Sequence, residues 1–343
     1  MTFQTAVPKD HGFNATKLDA LQNSLAERGT KAFLVIRNDC IVHEWYLNDD
    51  VRNKGHYTAS MAKALIGGVC LALGIDDGTI TLDDPASKFI PQWANDPQKS
   101  KIAIRQLGTH TSGLDESKPK DRGGWQQDFW ERKDVPNDPF TISRDITPVI
   151  SEPGSTFYYS NPAIAVFGHA ITAALGQDLR TALRDRVLRP IGVSDDDWSC
   201  GYGQTFEVDG LPLVAAWGGG GFTARAAAHL GRLMLRQGNW GGERILSANA
   251  VQQTTSDAGL PGGNGQGWWT NNRSAFPSMP RDAFYAAGAE HQTVLVVPSL
   301  DLICVRNGAA LGQSALDGND PRGPHLFAPL MDALSADHEG HEK

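Results

Sequence analysis

Cysteine is scarce in this chain of 343 residues. Cys40, Cys70, Cys200 and Cys304 are the only four, and no two form a CxxC pair. That excludes a disulfide-stapled scaffold and leaves four thiols that read as buried or incidental, the usage of a reducing compartment. No run of five or more Lys/Arg occurs and the formal net charge is −8, which argues against nucleic acid as the main partner. The longest apolar stretch, Ala64 to Ile75, holds 12 residues, too few to span a bilayer. The opening MTFQTAVPKD has no basic-then-apolar leader, so the chain as given favours the cytoplasm over the periplasm. HExxH, a Walker phosphate loop, GxGxxG after a strand and a GxSxG elbow are all missing. Those absences weigh against zinc proteases, nucleotide and dinucleotide enzymes and α/β-hydrolases, and no metal or cofactor is implied.

What is present is a globular composition, 40% apolar and 20% charged, with 37 glycines and 19 prolines that signal many turns. The length suits one large domain or two intimate ones. Leu18, Leu21 and Leu25 predict a helix over Thr16–Arg28 with Asn14 as cap. Two β runs, Ala32–Arg37 and Ile41–Leu47, flank Asn38-Asp39 as a hairpin. Ser60–Leu73 reads as a helix apolar nearly all round, hence buried. Further helices are predicted at Pro162–Leu175 with Asn161 at the cap, Asp178–Arg189, Thr223–Gln237 and His325–Leu334. Strands are predicted at Ala283–Ala287, Thr293–Val297 and Leu302–Arg306. The strands lie at the two ends of the sequence. The expected fold is therefore α/β: a mostly antiparallel sheet from both chain ends (1–75 and 222–343), flanked by helices, with an inserted all-helical domain over 76–221.

The residues that carry chemistry are Ser60-Met61-Ala62-Lys63. On a helix, i and i+3 share a face, which stacks the Lys63 amine one turn above the Ser60 hydroxyl. Lys63 is the only charged residue between Ser60 and Asp76. Desolvation and the positive end of the helix dipole both disfavour its ammonium form, and an uncharged amine can take the proton of a serine hydroxyl. The Ser60 N–H, at the helix start, is a free donor for an oxyanion. By itself the tetrapeptide is weak: about one SxxK is expected by chance in such a chain, and a second, Ser117-Lys118-Pro119-Lys120, sits in a charged loop. A helix cap plus a snorkelling lysine would look the same. Tyr159-Ser160-Asn161 follows 99 residues after Ser60, where a phenol beside a cation could relay protons.

The combination resembles the serine β-lactamase and penicillin-binding-protein-like superfamily, in the class C-type branch with its esterases and aminohexanoate-oligomer hydrolases. The resemblance runs in order through Tyr57-Thr58-Ala59-Ser60-Met61-Ala62-Lys63, Gly78-Thr79-Ile80-Thr81-Leu82-Asp83-Asp84-Pro85 and Leu107-Gly108-Thr109-His110-Thr111-Ser112-Gly113-Leu114. It continues through Pro153-Gly154, Tyr159-Ser160-Asn161 and Gly218–Gly221. It implies Ser60 as nucleophile, Lys63 as its base partner, Tyr159 as proton relay and Asn161 as an orienting amide. His110 and Ser112 fall in a segment read as a structural turn, with direct substrate contact as the alternative.

The third family motif departs from the pattern. Where a Lys or His should begin it, this chain has Tyr285-Ala286-Ala287-Gly288-Ala289-Glu290-His291-Gln292. A backbone N–H near Ala289 or Glu290 can still serve as second oxyanion donor. The cation that would pair with a substrate carboxylate is missing, and Glu290 would repel one. Glu290 and His291 are instead candidate substrate contacts, with Glu290 suited to an ammonium group; they are equally ordinary strand-end residues. Trp217, Trp268 and Trp269 are candidate pocket walls or core. The expected function is a serine hydrolase that cleaves a small-molecule carboxylic ester or linear amide through a Ser60 acyl-enzyme. A β-lactamase or DD-peptidase, and a non-catalytic binding or scaffold member, are the alternatives. Nothing in the sequence sets an oligomeric state.

Overall fold

The computed structural model describes residues 3–116, 138–313 and 320–334. The second SxxK, Ser117–Lys120, lies outside the described residues.

Seven strands form the main sheet: β1 (Gln4–Thr5), β2 (Thr30–Arg37), β3 (Cys40–Tyr46), β4 (Trp269–Thr270), β5 (Phe284–Gly288), β6 (Gln292–Val297) and β7 (Leu302–Gly308). Their spatial order is β1-β3-β2-β7-β6-β5-β4. Only β1 and β3 run parallel; every other neighbouring pair is antiparallel. The sheet is thus built from both chain ends, joined where β2 pairs with β7, Val35 opposite Cys304. Asn38 and Asp39 close the β2–β3 hairpin with φ of 50° and 62°, the left-handed pair that a two-residue turn on twisted strands requires.

Side chains alternate across the sheet, and both faces are buried. Leu34, Ile36, Val294, Val296, Ile303 and Val305 face one core, shared with the helices. Phe33, Val35, Leu295, Val297, Leu302 and Cys304 face a second core, shared with the N- and C-terminal helices.

Five helices among the described residues are α1 (Ala15–Glu27), α2 (Ala59–Asp76), α3 (Ile104–Gly108), α4 (Asn161–Leu175) and α5 (Ala224–Leu235). Asn14 caps α1 by accepting from the Lys17 N–H at 3.1 Å, as its sequence predicts. The last helical segment covers Gly323–Phe327 and Ala328–Asp332. α2 is not one uniform α-helix. It opens with a 3-10 turn at Ala59–Met61, widens into a π segment at Lys63–Gly68 and becomes α-helical at Val69–Asp76. Wide π turns of this kind concentrate at functional sites.

α2 has 18 residues and a mean hydropathy of 1.5, long and apolar enough to cross a membrane, yet 83% of it is buried inside the protein. It is a core helix, and Lys63 is the charge that kept its apolar run short in the sequence. It meets the sheet chiefly with its first turns, against β5, while its body packs among helices. The helix laid along the sheet is α5, on β6 and β7. Residues 76–221 are not purely helical: they also hold a small hairpin, Phe206–Val208 with Leu211–Leu213, and the strand Trp198–Ser199.

Candidate active site

The turn before α2 is built to present Ser60. Ala59 has φ 47°, a left-handed conformation that costs a residue with a Cβ and persists only where the surroundings impose it. Those surroundings are specific. The Thr58 N–H donates to Gly220 O at 2.9 Å, and β5 presses on the turn at Gly288. A Cβ at Gly288 would stand 2.2 Å from Thr58 O and 3.0 Å from the Ala59 Cβ, so only glycine lets the strand lie this close. Gly288→Val is accordingly expected to push β5 off the Ser60 turn and lower kcat/KM about 10²-fold, read in steady-state ester hydrolysis.

Ser60 Oγ is where three segments converge. Lys63 Nζ, one turn along α2, donates to it at 3.0 Å, and Tyr159 Oη, at the entrance of α4, donates at 2.7 Å. Lys63 Nζ also donates to Trp217 O at 2.8 Å and lies 4.9 Å from the centre of the Tyr159 ring. Lys63 is 2% exposed, and no carboxylate pairs with it among the described residues. Two donors aimed at one hydroxyl oxygen favour its anionic form.

These groups open onto a cavity of about 280 Å³, whose wall also includes His110, Asn264, Trp268, Trp269, Ala289 and Arg322. Ala289 and Ser60 both line this cavity. Trp268 and Trp269 are wall residues, whereas Trp217 takes part through its carbonyl to Lys63. Among the described residues, no group of three His, Cys, Asp or Glu is arranged to hold a metal ion.

Other expected contacts lie elsewhere. The cap of α4 is Ser160, whose Oγ accepts from the Ala163 N–H at 3.1 Å; Asn161 is the first helical residue. Asn161 Nδ2 donates to Glu116 Oε1 at 2.8 Å, its N–H donates to Glu116 Oε2, and the residue is not part of the cavity wall. Glu290 and His291 form a three-residue turn with Ala289 between β5 and β6, with φ of 58° and 59°. Neither reaches the cavity wall. Glu290 O accepts from Arg306 Nη1 at 2.7 Å, and His291 Nδ1 accepts from the Leu311 N–H at 3.1 Å. Burial pulls the His291 imidazole below its usual value, with Arg322 the next cause.

The cavity wall contains donors that sequence reasoning missed. Arg322, just before the last helical segment, has Nε bound to Asp320 and its guanidinium 5.2 Å from the centre of the Tyr285 ring. Its Nη1 is buried with no hydrogen-bond partner among the described residues, as is Asn264 Nδ2; Trp268 Nε1, also unbonded there, lies against Gly68 of α2. A cation does therefore face the site, supplied by a segment remote from the third motif. Only the fold could reveal it, because Arg322 belongs to no motif.

The sequence model of the Beta-lactamase family matches residues 20–308. The 6-aminohexanoate-dimer hydrolase of Paenarthrobacter ureafaciens is 27% identical over 274 residues, 77% of this chain and 65% of that protein. Esterase EstB of Burkholderia gladioli is 27% identical over 152 residues, 42% of this chain and 37% of that protein. The matches thus span less than two thirds of either relative. Among solved structures, a penicillin-binding-protein homologue from Caulobacter crescentus superposes with a TM-score of 0.74 at 17% identity, over 96% of this chain and 99% of that one. At that identity the likeness is one of fold.

Proposed function

Because the chain belongs to the Beta-lactamase family, we propose that it is a serine hydrolase that cleaves a small-molecule carboxylic ester or linear amide through an acyl-enzyme on Ser60. The observation that carries this reading is the convergence of Lys63 Nζ at 3.0 Å and Tyr159 Oη at 2.7 Å on Ser60 Oγ. The similarity to an esterase and to a 6-aminohexanoate-dimer hydrolase supports both bond types.

The Ser60 hydroxyl gives its proton to Lys63 while Oγ attacks the substrate carbonyl carbon. The N–H groups of Ser60 and Ala289 hold the resulting oxyanion. The C–O or C–N bond then breaks, and the leaving alcohol or amine takes a proton through Tyr159, which Lys63 replenishes. A water, deprotonated by the same pair, attacks the acyl carbon, releases the acid and returns the proton to Ser60. No cofactor is required by these steps.

A second reading, β-lactamase or DD-peptidase, is favoured by one observation. Arg322 puts a guanidinium on the cavity wall, paired with Asp320 through Nε and Nη2 but with Nη1 unbonded among the described residues, and so offers a positive group to a carboxylate. The test is a panel of a p-nitrophenyl short-chain ester, a linear amide dimer and a chromogenic cephalosporin, alongside intact-mass measurement after a fluorophosphonate probe. Expected are a single adduct on Ser60 and faster turnover of ester or amide than of the cephalosporin. Preferential cephalosporin turnover would transfer the assignment to the second reading. No adduct and no turnover would favour a non-catalytic binding member.

A further inference from the structure

We propose that His110 is a positioning residue for Tyr159, an inference that rests on the serine-hydrolase reading above. His110 follows α3 and sits in a left-handed conformation, φ 60°, that the helix end imposes. Behind it, the Thr111 N–H donates to Gln106 O at 2.9 Å, and Thr109 Oγ1 donates to Arg105 O at 2.7 Å. From this anchored point His110 grips both neighbours of Tyr159. Its carbonyl accepts the Tyr158 N–H at 2.8 Å, and its Nδ1 accepts the Ser160 N–H at 3.2 Å. Its ring stacks on the Tyr159 ring, with centroids 4.4 Å apart and planes 26° apart. The residues before and after the tyrosine, and the face of the tyrosine itself, are thus all held by one side chain and its carbonyl.

That arrangement needs an uncharged imidazole. An Nδ1 that accepts a backbone N–H places the ring proton on Nε2. Burial first, and the neighbouring Lys63 next, pull the His110 pKa down to about 3. The ring therefore keeps its acceptor for the Ser160 N–H and carries no charge beside the Lys63 amine. Tyr159 Oη must stay at 2.7 Å from Ser60 Oγ to relay protons, and small misplacements of a reacting group lower rates steeply. Removing the clamp should therefore act on kcat.

The test is a double-mutant cycle on the full-length chain with ester substrate, using His110→Asn, His110→Phe and Tyr159→Phe. Asparagine tolerates positive φ and keeps an acceptor for the Ser160 N–H; phenylalanine keeps the stack and loses the acceptor. Each is expected to lower kcat about 10- to 100-fold with KM changed by less than about threefold. Each is expected to change kcat by less than about threefold in the Tyr159→Phe background, because the group being positioned is gone. An undiminished drop in that background, or normal kcat in both single variants, would overturn the proposal. So would failure of both to fold, which would assign His110 to stability. Normal turnover in Tyr159→Phe alone would refute the relay role of the tyrosine itself, and is read separately from the His110 variants.

Discussion

Ser60→Ala is expected to lower ester turnover by about 10⁴-fold or more while leaving the folded state intact. Two features combine to separate activity from stability at this position. Among the described residues the hydroxyl is the one group on which Lys63 and Tyr159 both converge, so its loss removes the nucleophile and the target of both donors. The same hydroxyl caps no helix: no side-chain cap bond opens the Ala59–Met61 turn, and Ser60 is only half-buried. Steady-state kinetics and thermal unfolding of the same preparation check both halves. Turnover within tenfold of the parent would place the nucleophile elsewhere.

The second large effect is expected at Lys63. Lys63→Met should cost about 10³- to 10⁵-fold in kcat while leaving the unfolding midpoint unchanged or raising it. The lysine is 2% exposed in an apolar helix, and no carboxylate pairs with it among the described residues. Burying an amine with no carboxylate partner opposes folding, and an unbranched apolar side chain of similar length fills the same space without that cost. A residue that is catalytic at the expense of stability should show this opposition of signs. Thermal unfolding beside kcat reads it directly; a large fall in midpoint with preserved activity would make Lys63 a structural residue instead.

Local signals in the sequence carried through wherever a short-range rule governs the outcome. The Asn14 cap, the Asn38-Asp39 turn and the apolar runs of β2, β6 and β7 involve neighbours a few residues apart, and the structure follows them. The pairing of Ser60 with Lys63 belongs to the same class, since i and i+3 meet on any helix-like turn. Even there, local reading had bounds. Asn161 and Ser160 are both good caps, and the choice between them fell to Ser160 because Glu116, 45 residues away, engages the Asn161 N–H and side chain.

Glu290 and His291 show where linear reasoning ends. Their position beside the expected third motif suggested substrate contact, but two successive left-handed residues close the β5–β6 turn, and neither reaches the cavity. Arg322 is the converse. No pattern in the chain marks it, and it reaches the cavity because the last helical segment packs under the sheet face that carries Tyr285.

The amino-acid order alone determined that a hydroxyl and an amine would stack at the start of an apolar helix, and that strands from the two chain ends would have to seek each other to bury their apolar faces. Periodicity and adjacency are enough for that. Only the tertiary structure decided what surrounds the pair: the Tyr159 phenol from 99 residues away, the Trp217 carbonyl from 154, the His110 ring stacked on that phenol and the Arg322 guanidinium across the cavity. These contacts depend on how buried layers pack in three dimensions, which no spacing along the chain encodes.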